Sequence, residues 1–100
     1  MARFDVYRQR DGSDYLLDCQ ADILRELETC LTIPLFPYTK APLPLASKLN
    51  PIFVIDGDRY VLMTQYGAAI RRKLLGERIV HLGDEQAAII NAIDMLLTGY

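Results

Sequence analysis

One hundred residues, 51% apolar and 24% charged, with five prolines and no tryptophan, make one domain spanning residues 1–100 and exclude a second. Eleven basic and 13 acidic side chains leave a formal net charge of −2, which removes the sequence-independent attraction that carries proteins onto nucleic acid or anionic membranes. A chain this short buries roughly two-thirds of the surface its unfolded form exposes, so a modest core, or a core plus a partner, must carry its stability.

No apolar run exceeds four residues (Ile52–Ile55, Tyr60–Met63, Ala87–Ile90), far short of the roughly 20 that span a bilayer. Arg3, Asp5, Arg8 and Arg10 interrupt the N-terminus, so it has no signal-peptide core and the expected location is cytoplasmic, with no membrane contact. Cys19 and Cys30 are the only cysteines. A secreted scaffold of this length normally carries more, so both read as reduced, packed thiols.

Phe4 to Arg8 alternates, with Phe4 and Val6 on one face and Asp5 and Tyr7 on the other, the period of a half-buried strand. Asp11-Gly12 supplies a hairpin turn, glycine tolerating positive φ, and Tyr15 to Gln20 returns. Ile23, Leu24 and Leu27 have helical spacing, but the segment Asp22 to Glu28 is too short for a stable helix and reads as a loop or single turn. Leu31, Ile33 and Leu35 form a third strand that Pro34 confines to an edge or cuts short.

All five prolines fall between Pro34 and Pro51, which makes Phe36 to Asn50 an extended, exposed loop. Ile52–Ile55 and Tyr60–Thr64 flank Asp56-Gly57-Asp58, a second hairpin signal. Ile70–Leu75 and Ile79–Leu82 are two more short strands, separated by Gly76-Glu77. Seven short strands joined by tight turns indicate a small antiparallel barrel or twisted sheet. The period then changes: Asp84 caps a helix in which Ile89, Ile93, Leu96 and Tyr100 make one stripe, widened by Ile90 and Leu97, and Gly99 ends it.

The chain lacks a phosphate loop, a dinucleotide fingerprint and a paired-cysteine metal motif. His81 is the sole histidine and reads as a surface or core-edge residue, because a zinc site would need three remote strands to converge on it. No catalytic residue, metal or cofactor is therefore expected. Arg71-Arg72-Lys73, the one basic run, reads as a solvated stretch of edge strand. Asp56/Asp58 and Asp84/Glu85 are explained by a turn and a helix start. The apolar tail Leu96 to Tyr100 has two readings: Tyr100 folds back on the core, or the tip anchors a partner.

Phe4-Asp5-Val6-Tyr7, Asp18-Cys19-Gln20-Ala21-Asp22-Ile23-Leu24, Ile33-Pro34-Leu35, Leu49-Asn50-Pro51, Met63-Thr64, Leu75-Gly76-Glu77 and Asn91-Ala92-Ile93-Asp94, with a near-terminal Gly99, follow in an order and spacing that resembles the CcdB family of toxins. The resemblance implies a mainly β fold with a C-terminal helix, an SH3-like antiparallel barrel of the CcdB/MazF kind with a small side sheet, assembled as a homodimer. It further implies a non-enzymatic toxin that binds the A subunit of DNA gyrase, or a related type II topoisomerase, and traps the cleaved-DNA complex. A CcdA-like antitoxin would neutralise it, contacting the surfaces near Phe36–Asn50 and Arg8–Asp14, and DNA would be reached only through antitoxin or gyrase.

The family's topoisomerase-facing positions map to Ile23, Leu24, Asp94, Leu97, Thr98, Gly99 and Tyr100. Two departures are visible: Asp94 replaces an asparagine, and Thr98-Gly99-Tyr100 stands where toxic members end in tryptophan, glycine and an aliphatic residue. Losing a stacking anchor of that size weakens an interface by roughly 2 to 4 kcal/mol. Two alternatives stay open: a MazF-like endoribonuclease, for which only His81, Arg71, Arg72 and scattered carboxylates are available, and a non-toxic relative that binds only antitoxin.

Overall fold

The computed structural model describes residues 2–12 and 14–99. Among the described residues, seven strands, β1 (Asp5–Gln9), β2 (Tyr15–Asp18), β3 (Thr29–Pro37), β4 (Ile52–Ile55), β5 (Asp58–Leu62), β6 (Ala68–Arg71) and β7 (Leu75–His81), precede one α-helix, α1 (Gln86–Thr98). All pairings are antiparallel in a curled sheet of order β4-β5-β3-β2-β1-β7, with β6 off this path on the N-terminal half of β3. The barrel-like β architecture with a C-terminal helix agrees with the sequence reading.

The third strand differs. β3 is the hub of the sheet, pairing β2 along one side and both β6 and β5 along the other. Pro34 survives at this central place because backbone N–H and C=O of one strand residue point the same way. Its carbonyl accepts the Met63 N–H at 2.9 Å, so its missing donor falls on that side, between the β6 pairings at Thr29–Thr32 and the β5 pairings at Leu35–Pro37. The prolyl ring therefore sits at a seam where the partner strand changes.

The two hairpins form at the expected places. Asp56 (φ 53°) and Gly57 (φ 85°) both occupy the left-handed region between Ile55 and Asp58, as a tight two-residue hairpin requires. In the β1–β2 turn, Gly12 is not left-handed. Gly76-Glu77 separates nothing: both lie inside β7, and the break comes at a 3₁₀ turn over Arg72–Leu74. Glycine is required at position 76 because a Cβ there would lie 2.7 Å from the Arg8 carbonyl oxygen.

The core lies on the concave face, where Val6, Leu17, Leu35 and Leu62 meet Ile89 and Ala92 of α1, all at most 1% exposed. Burying a leucine or isoleucine in this way contributes roughly 1.5–3 kcal/mol. Tyr7, on the opposite face of β1 from Val6, is also buried, in a second small core with Leu16, Cys30 and Leu75 that Ile70 of β6 helps cover. Asp5 beside it is 3% exposed.

Asn50 and Thr64 close the long proline-rich segment. Asn50 Nδ2 donates to the Leu62 carbonyl (3.1 Å) and to Gln65 Oε1 (2.7 Å), its Oδ1 accepts the Ala46 N–H, and Thr64 Oγ1 donates to the Leu49 carbonyl at 2.6 Å. Asp84 does not cap the helix. The chain enters α1 through a 3₁₀ turn over Gly83–Glu85, where the Glu85 and Gln86 N–H groups bond to Leu82 and Gly83 carbonyls, so no side-chain cap is needed.

Candidate functional site

Helix α1 packs only part of its apolar stripe. Ile89 is buried and Ile93 half-buried, but Leu96 and Leu97 are 46% and 74% exposed. Gly99 ends it in the left-handed conformation (φ 83°), its N–H bonded to the Met95 carbonyl. Asp94 is exposed, and Thr98 Oγ1 donates to the Asp94 carbonyl at 2.7 Å, which turns the threonine hydroxyl back onto its own helix. Tyr100 lies outside the described residues, so its fold-back onto the core is neither seen nor excluded.

The other predicted contact residues lie on the loop between β2 and β3. Ile23 is 88% exposed and Leu24 43% exposed, on a 3₁₀ turn spanning Asp22–Leu24 that buries no side chain. The structure brings the flanks of this loop, Cys19 and Leu31, to the same apolar groove as Leu96 and Leu97 of the helix. The groove holds about 200 Å³, and Ile33, Ile93, Thr64 and Gly67 form the rest of its wall. Ile23 and Leu24 stand outside it. Leu96 belongs to the tail that the sequence offered as a partner-anchoring tip, whereas Leu31 was not singled out: its alternation with Ile33 and Leu35 marks it as core, yet it is 43% exposed.

Away from this tip, Asp5 and His81 form a polar centre. The buried Asp5 carboxylate accepts from His81 Nδ1 (2.8 Å), Arg78 Nε (3.2 Å), the Ala2 N–H (3.0 Å) and the Tyr7 hydroxyl (3.3 Å). Burial by itself raises its pKa, but hydrogen bonds from His81, Ala2 and Arg78, with the Arg78 charge, hold it below the usual 3.8. His81 borders an open hollow of about 530 Å³ whose charged lining, Arg3, Asp22 and Asp84, is of mixed sign. Phe4, on its floor, has φ 73° and lies under the Arg3 guanidinium.

Both cysteines are free and buried. Burial and the Asp18 charge push the Cys19 thiol up to about 11. Burial and a hydrogen bond to Asp18 push Cys30 up to about 12. Neither is a nucleophile at neutral pH. No three His, Cys, Asp or Glu side chains converge in a metal-binding group among the described residues, and no described helix is long and apolar enough to cross a membrane.

Beside the proline-rich segment, the Arg59 guanidinium stacks 4.1 Å above the Tyr38 ring at an open hollow of about 550 Å³ that Lys40 and Tyr60 also line. Tyr60 stacks on Tyr15 at 5.0 Å, and Arg8 lies over Tyr15. These groups join the surfaces near Arg8–Asp14 and Phe36–Asn50 into one rim of aromatic and cationic side chains.

The family model described as "CcdB protein" matches residues 3–99. Among solved structures, the chain is similar to a Mycobacterium tuberculosis toxin, MazF-mt6, at 17% identity over 95% of this chain and 96% of that one, with a TM-score of 0.75. It is also similar to an endoribonuclease in complex with its cognate antitoxin from a mycobacterial species, at 14% identity over 97% and 94%, with a TM-score of 0.76. At these identities the two structures establish a shared fold.

Proposed function

The chain belongs to the CcdB family of toxin–antitoxin toxins, and from that premise we propose that it acts, without catalysis, as a homodimer that binds the A subunit of DNA gyrase or a related type II topoisomerase. The observation that carries this reading is that two apolar side chains at the positions the family resemblance assigns to the contact are left uncovered, Leu97 at 74% and Ile23 at 88% exposure. A two-fold dimer presenting two such tips is self-matched to a two-fold cavity between paired subunits. Affinity for the open, DNA-cleaved state alone is enough to hold the enzyme there.

Ile23, Leu24, Asp94, Leu97, Thr98, Gly99 and Tyr100 are the proposed contacts. With Thr98 bonded back to Asp94 in place of a tryptophan, Leu97 and Ile23 carry the apolar burden of the interface. A CcdA-like antitoxin is proposed to bind the rim of Arg8, Tyr15, Tyr38, Arg59 and Tyr60, where cations over aromatic faces suit an acidic, aromatic-bearing peptide. Expression with and without the antitoxin tests the whole reading, scored by growth and by gyrase–DNA cleavage complexes. Unaffected growth at high expression without antitoxin overturns the toxin assignment. Peptide binding without growth arrest would leave the non-toxic relative.

A second reading draws on the Asp5–His81 pair, in which a buried carboxylate orients an imidazole beside Arg78, on a fold shared with an endoribonuclease. An oriented histidine is the group that proton transfer in RNA cleavage needs. RNA cleavage by the purified chain that persists after deletion of Tyr100 and is lost in His81→Ala would establish it.

A further inference from the structure

The loop carrying Ile23 has little apolar contact to hold it. Residues 21–29 are all exposed, Leu24 and Leu27 being only about half covered, and a segment with no fully buried side chain has little hydrophobic gain to set against its conformational entropy. Its order comes from polar contacts at its two ends. At the start, the Arg3 N–H donates to Asp22 Oδ1 at 2.7 Å. Gln20 Nε2 donates to the Thr29 carbonyl (3.1 Å) and at 3.4 Å to that of Leu24.

Arg72 supplies the far end. Its Nε donates to the Leu27 carbonyl at 2.7 Å, its Nη2 to the Leu24 carbonyl at 3.3 Å, and its backbone N–H to the Glu28 carbonyl at 2.8 Å. One rigid guanidinium plane thus spans two turns of the loop, which a lysine's single ammonium point cannot reproduce. The sheet delivers it there: Arg71 pairs with Thr29, so the next residue emerges at the loop's C-terminal end. The 3₁₀ turn bearing Arg72 is itself pinned, since Arg10 Nε donates to the Lys73 carbonyl at 2.8 Å and the Arg10 N–H to that of Leu74. The basic run therefore divides by role. Arg71 and Lys73 are exposed, whereas Arg72 is half-buried against backbone.

We propose that Arg72 is a positioning residue that clamps the Asp22–Glu28 loop in the shape that presents Ile23, so that topoisomerase affinity depends on Arg72 through Ile23. This rests on the function proposed above. The test uses purified full-length chain, wild type and the variants R72Q, R72K, R71Q, I23S and R72Q/I23S. Amide hydrogen exchange is read over residues 22–28, and toxin concentration at half-maximal DNA cleavage is read with DNA gyrase and supercoiled plasmid.

R72Q is expected to speed exchange in the loop at least tenfold while amides of β2 and β3 keep their protection, and to raise the half-maximal concentration about tenfold. R72K shows both effects to a smaller degree, and carries both readings should R72Q not fold; R71Q shows neither. Because Arg72 acts through Ile23, R72Q/I23S is expected to be no weaker than I23S alone. A loosened loop with unchanged potency overturns the proposal, as does additivity of R72Q with I23S, which would mean a separate contact. Unaltered exchange in both R72Q and R72K overturns the clamp itself. A wild-type chain that yields no cleavage complexes while R72Q loosens the loop overturns the topoisomerase reading, and with it the positioning role, but leaves the clamp.

Discussion

Nδ1 of His81 and Oδ1 of Asp5 are 2.8 Å apart, and this contact joins the end of β7 to the start of β1 through a carboxylate that is almost wholly buried. Asp5 also receives Arg78, Ala2 and Tyr7, so removing its charge strands several donors at once. Asp5→Asn is expected to cost about 1–3 kcal/mol at neutral pH. The folded pKa lies below the unfolded 3.8, so the stabilisation is present above that value and is lost as pH falls through the lower folded pKa. Urea unfolding from about pH 2.5 to 7 should show an acid limb in the wild type that flattens in Asp5→Asn. An identical slope in both would remove Asp5 as its cause.

The opposite limb belongs to groups that folding keeps neutral. Burial, then the charges of Asp5 and Asp18, push Tyr7 up from 10.0 to about 12, and Cys19 and Cys30 rise from 9.0 to about 11 and about 12. Their stabilisation is complete below pH 9 and is lost as pH rises through the folded values, because the unfolded chain ionises first. Cys30→Ala should soften that limb and also cost roughly 1–3 kcal/mol, since Sγ fills a site that is fully buried and donates to Asp18 at 3.1 Å. A thiol reagent at pH 8 should label neither cysteine until the chain unfolds. Rapid labelling of the native chain would contradict the buried placement of both.

Strand and helix identities were legible because alternation and the change to helical period are local properties of the sequence. The Asp56-Gly57 turn, the helix over residues 86–98 and its Gly99 terminus all follow from such signals. What was not legible depends on which strand lies beside which. Pro34 signals an edge until one knows that β3 changes partners at that residue. Gly76 looks like a turn until Arg8 is seen to pass against it, and nothing local shows that both faces of β1 are covered, Tyr7 lying in a cluster against which Ile70 packs. The tip behaves likewise. Helical spacing puts Leu96 on the core stripe, yet it is 46% exposed, and nothing local ties Arg72 to carbonyls 45 and 48 residues earlier.

The glycines at 76 and 57 separate close approach from backbone conformation. Gly76→Ala would set a methyl 2.7 Å from a backbone oxygen in the β1–β7 pair, which cannot rotate away, and is expected to cost roughly 1–3 kcal/mol. Gly57→Ala meets no atom within 4 Å and is disfavoured only by its φ of 85°, for about 1 kcal/mol. Thermal melts of the two variants should therefore rank Gly76→Ala as the less stable. The reverse order would mean that the sheet relaxes around Arg8.

Substitutions at the tip should separate function from stability. Leu97 and Ile23 are 74% and 88% exposed, so Leu97→Ser and Ile23→Ser are expected to change unfolding free energy by no more than about 0.5 kcal/mol. Each removes an apolar side chain that, buried in a partner, contributes roughly 1.5–3 kcal/mol, enough to weaken topoisomerase binding by a factor of ten or more. Gly99→Ala differs, because its φ of 83° is strained for any side chain though a methyl would touch nothing. It should fray the last helical turn, tilting Leu97 and Thr98 while leaving Ile89 and Ala92 packed, and so reduce cleavage-complex formation with little change in the melting midpoint. Parallel assays of melting and of gyrase-dependent DNA cleavage distinguish the cases. If all three variants lose stability and activity together, the tip is part of the protein's own core, and the uncovered surface of Leu97 and Ile23 does not serve a partner.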